Sequence, residues 1–82
     1  MSRHQTELKI LGERIREKRK EKSFTQEHLA HEASVDRSYM GGVERGERNV
    51  TFSMLCQIAE ALGEDIASLT QGLPINELRK QN

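Results

Sequence analysis

Residues 24–46 read FTQEHLAHEASVDRSYMGGVERG, and two short helical patterns in this stretch stand almost end to end. The apolar residues Leu29, Ala33, Val35, Met40 and Val43 fall where two helices would face one another. Only Ser34 and Val35, with Ala33 at the margin, separate them, which demands a sharp reversal of the chain. Ala30 is small where the second helix must cross the first closely. An ordinary helical hairpin in a bundle would share some of these features, so the flanking sequence has to decide.

The helix starts on either side follow one rule. Phe24-Thr25 with Leu29, Val35-Asp36 with Met40, and Val50-Thr51 with Leu55 each set an N-cap residue after an apolar one. A second apolar residue follows at the fourth helical position, the arrangement of a hydrophobic staple. Gly46, Gly63 and Gly72 fall where a left-handed residue would stop a helix, and Pro74 blocks continuation. Helical spacing also links Leu8, Leu11 and Ile15, then Leu55, Ile58, Ala59 and Leu62, then Ile66 and Leu69. No segment alternates with period two. The pattern predicts an all-α protein, a compact five-helix bundle, with helices near 6–22, 25–33, 36–45, 51–62 and 65–71. Residues 1–5 read as a tail, 6–72 as the domain and 73–82 as a short extension. The sharp corner within it has the shape of a helix-turn-helix.

Eighty-two residues leave room for one small core, not for separate substrate and cofactor lobes. With 34% hydrophobic residues, such a core is modest and favours dimerisation. The net charge is zero and the pI about 6.8, which in bulk argues mildly against a nucleic-acid partner. The charges are segregated, however: residues 1–22 hold eight Lys and Arg against four Glu, while the rest is net acidic. A basic segment of this kind steers a polyanion, or is simply the solvated side of a helix; charge alone does not separate these. The single Cys56 excludes an internal disulfide framework, and no run approaches a membrane span or a signal peptide, so the sequence reads as cytoplasmic.

The segments Phe24-Thr25-Gln26-Glu27-His28-Leu29-Ala30, Ser38-Tyr39-Met40-Gly41-Gly42-Val43-Glu44-Arg45-Gly46 and Ile58-Ala59-Glu60-Ala61-Leu62-Gly63 together resemble the Xre, or Cro/C1, family of bacterial and phage repressors. The resemblance covers roughly residues 8–72. Asp36-Arg37-Ser38-Tyr39, with Glu44-Arg45-Gly46 and Arg48-Asn49 behind it, looks especially like the controller proteins of restriction-modification systems. The resemblance implies a lambda-repressor-like DNA-binding domain whose second corner helix, about 36–45, enters the major groove. Thr25 and Gln26 then stand where the first helix of the pair meets a phosphate. Asp36, Arg37, Ser38 and Tyr39 open the recognition helix, and Arg37 is the leading base reader, since arginine pairs bidentately with guanine. Arg45, Arg48 and Asn49 match the loop that meets the sugar-phosphate backbone, with a solvated turn as the alternative for the last two. Tyr39 serves equally well as DNA contact or as core packing. Arg19 and Glu44 match a structural pair between the first and third helices.

Three departures qualify that pattern. Ser34 and Ser23 stand where the family usually has glycine, so the chain either accepts a positive φ or bends differently. Gly42 takes a position that often carries a base-reading side chain. Gly41 and Gly42 together also weaken the helix, which is best understood if another surface, DNA or helix, comes close.

No catalytic constellation emerges. His28 and His31 share a helix face without a third metal ligand, Cys56 has no activating base, and no phosphate loop is present. No cofactor, metal or small-molecule ligand is expected. The apolar residues Leu69, Leu73, Ile75 and Leu78 offer more apolar surface than so small a core needs. Either they finish the core beneath the fifth helix or, the reading favoured here and the one the resemblance implies, they join a homodimer interface of the fourth and fifth helices with the C-terminal segment. The expectation is a dimeric, sequence-specific binder of a pseudo-palindromic duplex operator, autoregulating in the manner of a restriction-modification controller. An antitoxin-type repressor with a partner toxin, or a protein-protein adaptor, are the alternatives.

Overall fold

The computed structural model describes residues 4–75. Five helices follow one another: α1 Gln5–Glu21, α2 Gln26–Ala33, α3 Arg37–Glu44, α4 Phe52–Leu62 and α5 Ile66–Thr70, with no strand among the described residues. Each helix start after α1 is capped by a side chain. Thr25 accepts from the His28 amide, Asp36 from those of Ser38 and Tyr39, Thr51 from Met54, and Asp65 from Ser68. These bonds satisfy amides that have no partner inside the helix. The apolar residues flanking the caps meet the core as a staple requires: Leu29, Met40 and Leu55 are buried, and Phe24, Val35 and Val50 pack against them.

The stops obey the same local physics. Gly46, Gly63 and Gly72 adopt φ of 76°, 68° and 79°. Ser34 resolves the question the sequence left open, because it takes the left-handed conformation itself, at φ 59° and ψ 41°. Its amide bonds to the His31 carbonyl, and the Val35 amide to that of Ala30, closing the turn between α2 and α3. Ser23 does the same between α1 and α2.

One core serves all five helices: Leu11 and Ile15 of α1, Leu29, Ala30 and Ala33 of α2, Met40 and Val43 of α3, Leu55, Ile58, Ala59 and Leu62 of α4, and Leu69 of α5. Leu69 therefore completes the core and has no surface left for a partner. Leu73 and Ile75 are half-buried, and Leu78 lies outside the described residues. Polar groups tie the ends down. Arg14 donates to the Leu69 and Gln71 carbonyls, holding the end of α5 on α1, and Gln57 donates to the last carbonyl of α2, on Ala33.

α1 crosses α3 at Gly12. A Cβ there would lie 2.5 Å from the Val43 carbonyl oxygen and 2.6 Å from that of Glu44, so only glycine permits the approach. This crossing sets α1 behind the corner and leaves the first turns of α2 and α3 outward.

Candidate functional site

The outward end of the corner is built by its caps. Asp36 closes the first turn of α3 by accepting from the Ser38 amide at 3.0 Å, the Tyr39 amide at 3.2 Å and the Ser38 hydroxyl. The hydroxyl and the two amides hold the Asp36 carboxyl below its usual range. Its negative charge is thereby committed to the helix end. At α2, Thr25 occupies the His28 amide, whereas the Gln26 and Glu27 amides have no acceptor within the helix.

Arg37 and Ser38 are exposed on the leading edge of α3. The Arg37 guanidinium has neither a hydrogen bond nor an ion pair among the described residues. In front of it lies an open depression of about 440 Å³, lined by Gln26, Asp36, Arg37, Ser38, Gly41 and Arg45. Five of the sequence-predicted residues thus meet around one hollow, with Gly41 as the sixth.

Of the remaining predicted residues, Tyr39, Gly42, Arg48 and Asn49 form a second group beside it, while Thr25 stands apart as the cap of α2. Tyr39 is half-buried, with its ring against the core and its hydroxyl 3.4 Å from the Asn49 carbonyl. The Arg48 guanidinium lies 5.7 Å from the centre of that ring, a cation-π contact that orients an otherwise free side chain. The stem of Arg48 runs over Gly42, and a Cβ on Gly42 would come within 2.8 Å of its Cγ. Gly42 is buried beneath it. The close surface that the paired glycines imply is therefore the chain itself: Arg48 over Gly42, and Gln26 with Arg45 beside Gly41. Gly42 contributes clearance for Arg48. Arg45 is exposed and pairs with Glu47 at 3.1 Å.

Beneath the hollow, Arg19 and Glu44 form the bridge expected between α1 and α3. Nε and Nη2 of Arg19 donate to the two carboxylate oxygens of Glu44 at 2.7 and 3.0 Å. The side chains are 12% and 3% exposed. Arg19 also donates to the Phe24 carbonyl at 2.9 Å, and the Gln26 amide nitrogen donates to Glu44 at 3.1 Å. Spacing could not reveal this last bond; it leaves the backbone amide of Gln26, not its side-chain nitrogen, as the donor facing outward. The His28 ring packs against Phe24, with ring centres 4.4 Å apart and planes tilted by 60°.

One residue that the motifs did not mark also reaches this surface. Arg16 of α1 joins Arg19, Gln26, Glu44 and Arg45 around an adjoining depression of about 230 Å³. Its place three residues before Arg19, on the same helix face, was the available signal.

Known proteins share this fold. The family model described as helix-turn-helix matches residues 15–69. The control protein C.SmaI of Serratia marcescens is 44% identical over 66 residues, spanning 78% of this chain and 79% of that protein. The crystal structure of the restriction-modification controller protein C.AhdI from Aeromonas hydrophila superposes with a TM-score of 0.77 at 44% identity, over 78% of this chain and 97% of that one. A hypothetical transcription factor from Neisseria, NHTF, gives 0.77 at 32% identity, over 100% of this chain and 92% of its own. No helix among the described residues is long and apolar enough to cross a membrane.

Proposed function

The chain belongs to the helix-turn-helix family of DNA-binding transcription regulators, and on that premise we propose that it is a homodimeric, sequence-specific regulator of restriction-modification controller type, acting in the cytoplasm and without catalysis. Residues 6–72 form the DNA-binding domain. The observation that carries this reading is the Arg37 guanidinium, unpaired among the described residues, on the exposed leading edge of α3 beside the open first turn of α2. With α3 in the major groove, Arg37 pairs with guanine N7 and O6, and Ser38 and Tyr39 contact neighbouring groups. The α2 amides next to Thr25 and Gln26 receive a phosphate. Arg45, Arg48 and Asn49 follow the sugar-phosphate backbone. Asp36 holds the helix end in shape, and Gly42 makes room for Arg48.

Dimerisation proceeds through α4 and α5. Phe52, on the first turn of α4, is 72% exposed, and Cys56 one turn later is exposed as well. A twofold axis there places the two α3 helices about one DNA turn apart, ~34–36 Å. Burying a phenylalanine contributes ~1.5–3 kcal/mol, and each dimer buries two. Phe52→Asp should therefore yield a folded monomer by sedimentation; a dimer of unchanged affinity would remove Phe52 from the interface.

Fluorescence anisotropy with duplex DNA across a salt series tests the function. Binding should weaken steeply as salt rises, with a slope of ~0.9 per phosphate neutralised. Absence of binding to any duplex would end the reading. Arg37→Ala should cost ~1–3 kcal/mol on the preferred duplex and little on unrelated ones. An equal loss on all sequences would make Arg37 a phosphate contact.

A further inference from the structure

Three depressions are linked by common lining residues, beginning in front of the leading edge of α3. The one in front of Arg37 shares Gln26 and Arg45 with the second, and the second shares Arg16 with a third. Through these common residues the lining runs from α3 past the first turn of α2 onto α1. The sequence motifs end at α2; this lining does not.

Charge varies along it. In the middle depression, Glu44 is matched by Arg19 and capped by the Gln26 amide, so its charge is already compensated. Arg16 and Arg45 remain as the open cations on its rim. Arg16 has no hydrogen bond or ion pair among the described residues. Among the described residues Arg45 is engaged only by the exposed Glu47, a surface pair worth ~0–1 kcal/mol and easily exchanged for a phosphate. In the third depression Glu13 and Glu17 stand against Arg16 and Lys20, so the excess of positive charge ends at Arg16.

We infer that Arg16 is a phosphate ligand: with Arg45 it brackets one DNA phosphate over the middle depression and carries the duplex contact from the helix-turn-helix onto α1. This rests on the DNA-binding reading above. The contact is to backbone and not to base, because the middle depression is set apart from the leading edge of α3 by Gln26 and Arg45. It adds affinity and salt dependence without adding sequence preference.

The test is anisotropy on the preferred duplex, from low to high salt, for wild type, Arg16→Ala, Arg16→Lys and Lys20→Ala, with circular dichroism to verify folding. Arg16→Ala should flatten the plot of log affinity against log salt by ~0.9 for each half-site, with base preference unchanged. Arg16→Lys should keep most of the slope, and Lys20→Ala should stay close to wild type. A wild-type slope for Arg16→Ala, or an equal reduction in Lys20→Ala, would overturn the inference while leaving the DNA-binding reading intact. Failure of the wild-type protein to bind any duplex would overturn both.

Discussion

Glu44→Ala should lower folding stability by about 3–5 kcal/mol, the loss expected when one partner of a buried ion pair is removed. The Arg19 side chain, 12% exposed, would keep only the Phe24 carbonyl as an acceptor among the described residues, and the Gln26 amide would lose its acceptor as well. Domains of this size hold a total of only ~5–15 kcal/mol. Since 1 kcal/mol moves the midpoint of a small domain by ~4–8 °C, thermal unfolding followed by circular dichroism should shift by more than ten degrees. Glu44→Gln keeps the shape but not the charge, and should fall between. A midpoint within a degree or two of wild type would show that the bridge contributes nothing net. The functional consequence is a trap for genetics: a Glu44 variant would weaken DNA binding through the fold, although the Glu44 carboxylate is spent on Arg19 and Gln26 and makes no contact to DNA in this reading.

Gly12→Ala should destabilise the domain as well, against the ordinary rule for helices. In an exposed helix interior the same change gains ~1 kcal/mol from helix propensity. Here the new Cβ would sit 2.5 and 2.6 Å from two carbonyl oxygens of α3. These belong to the backbone and cannot rotate aside, so α1 and α3 must move apart. Overpacking of this kind costs ~1–3 kcal/mol and sometimes more. The displacement also pulls Arg19 from Glu44, so the loss should exceed the lower end of that range. Denaturant titration reads the sign directly. A gain in stability would mean that the helices do not cross as closely as the structure places them.

Both effects arise where tertiary packing adds something that local sequence does not encode. The helix ends were legible because caps are local: Thr25, Asp36 and Thr51 act on amides two or three residues away. The Arg19–Glu44 bridge came through resemblance, since 25 positions separate the partners. Side-chain direction was not legible. Gly42 lies under Arg48, Gln26 turns its amide inward to Glu44, and Leu69 goes into the core; each depends on which helix covers which face. The spacing of Arg16 from Arg19 puts both on one face of α1, but that Arg16 shares a depression with Arg45 depends on how α1 crosses α3. At Ser34 the sequence left two outcomes open, and the turn bonds from Ser34 and Val35 explain why the chain accepts a left-handed serine.

The measurement that bears most directly on α3 as the element that reads DNA is selection from random duplexes, carried out in parallel with the wild-type protein and Arg37→Ala. The expected outcome for the wild type is a pseudo-palindrome whose half-sites are centred ~10–10.5 base pairs apart. The variant should recover the same spacing with preference lost at one guanine in each half. Identical motifs from both proteins, or no enriched motif from either, would contradict the placement of Arg37 and the leading edge of α3 in the groove.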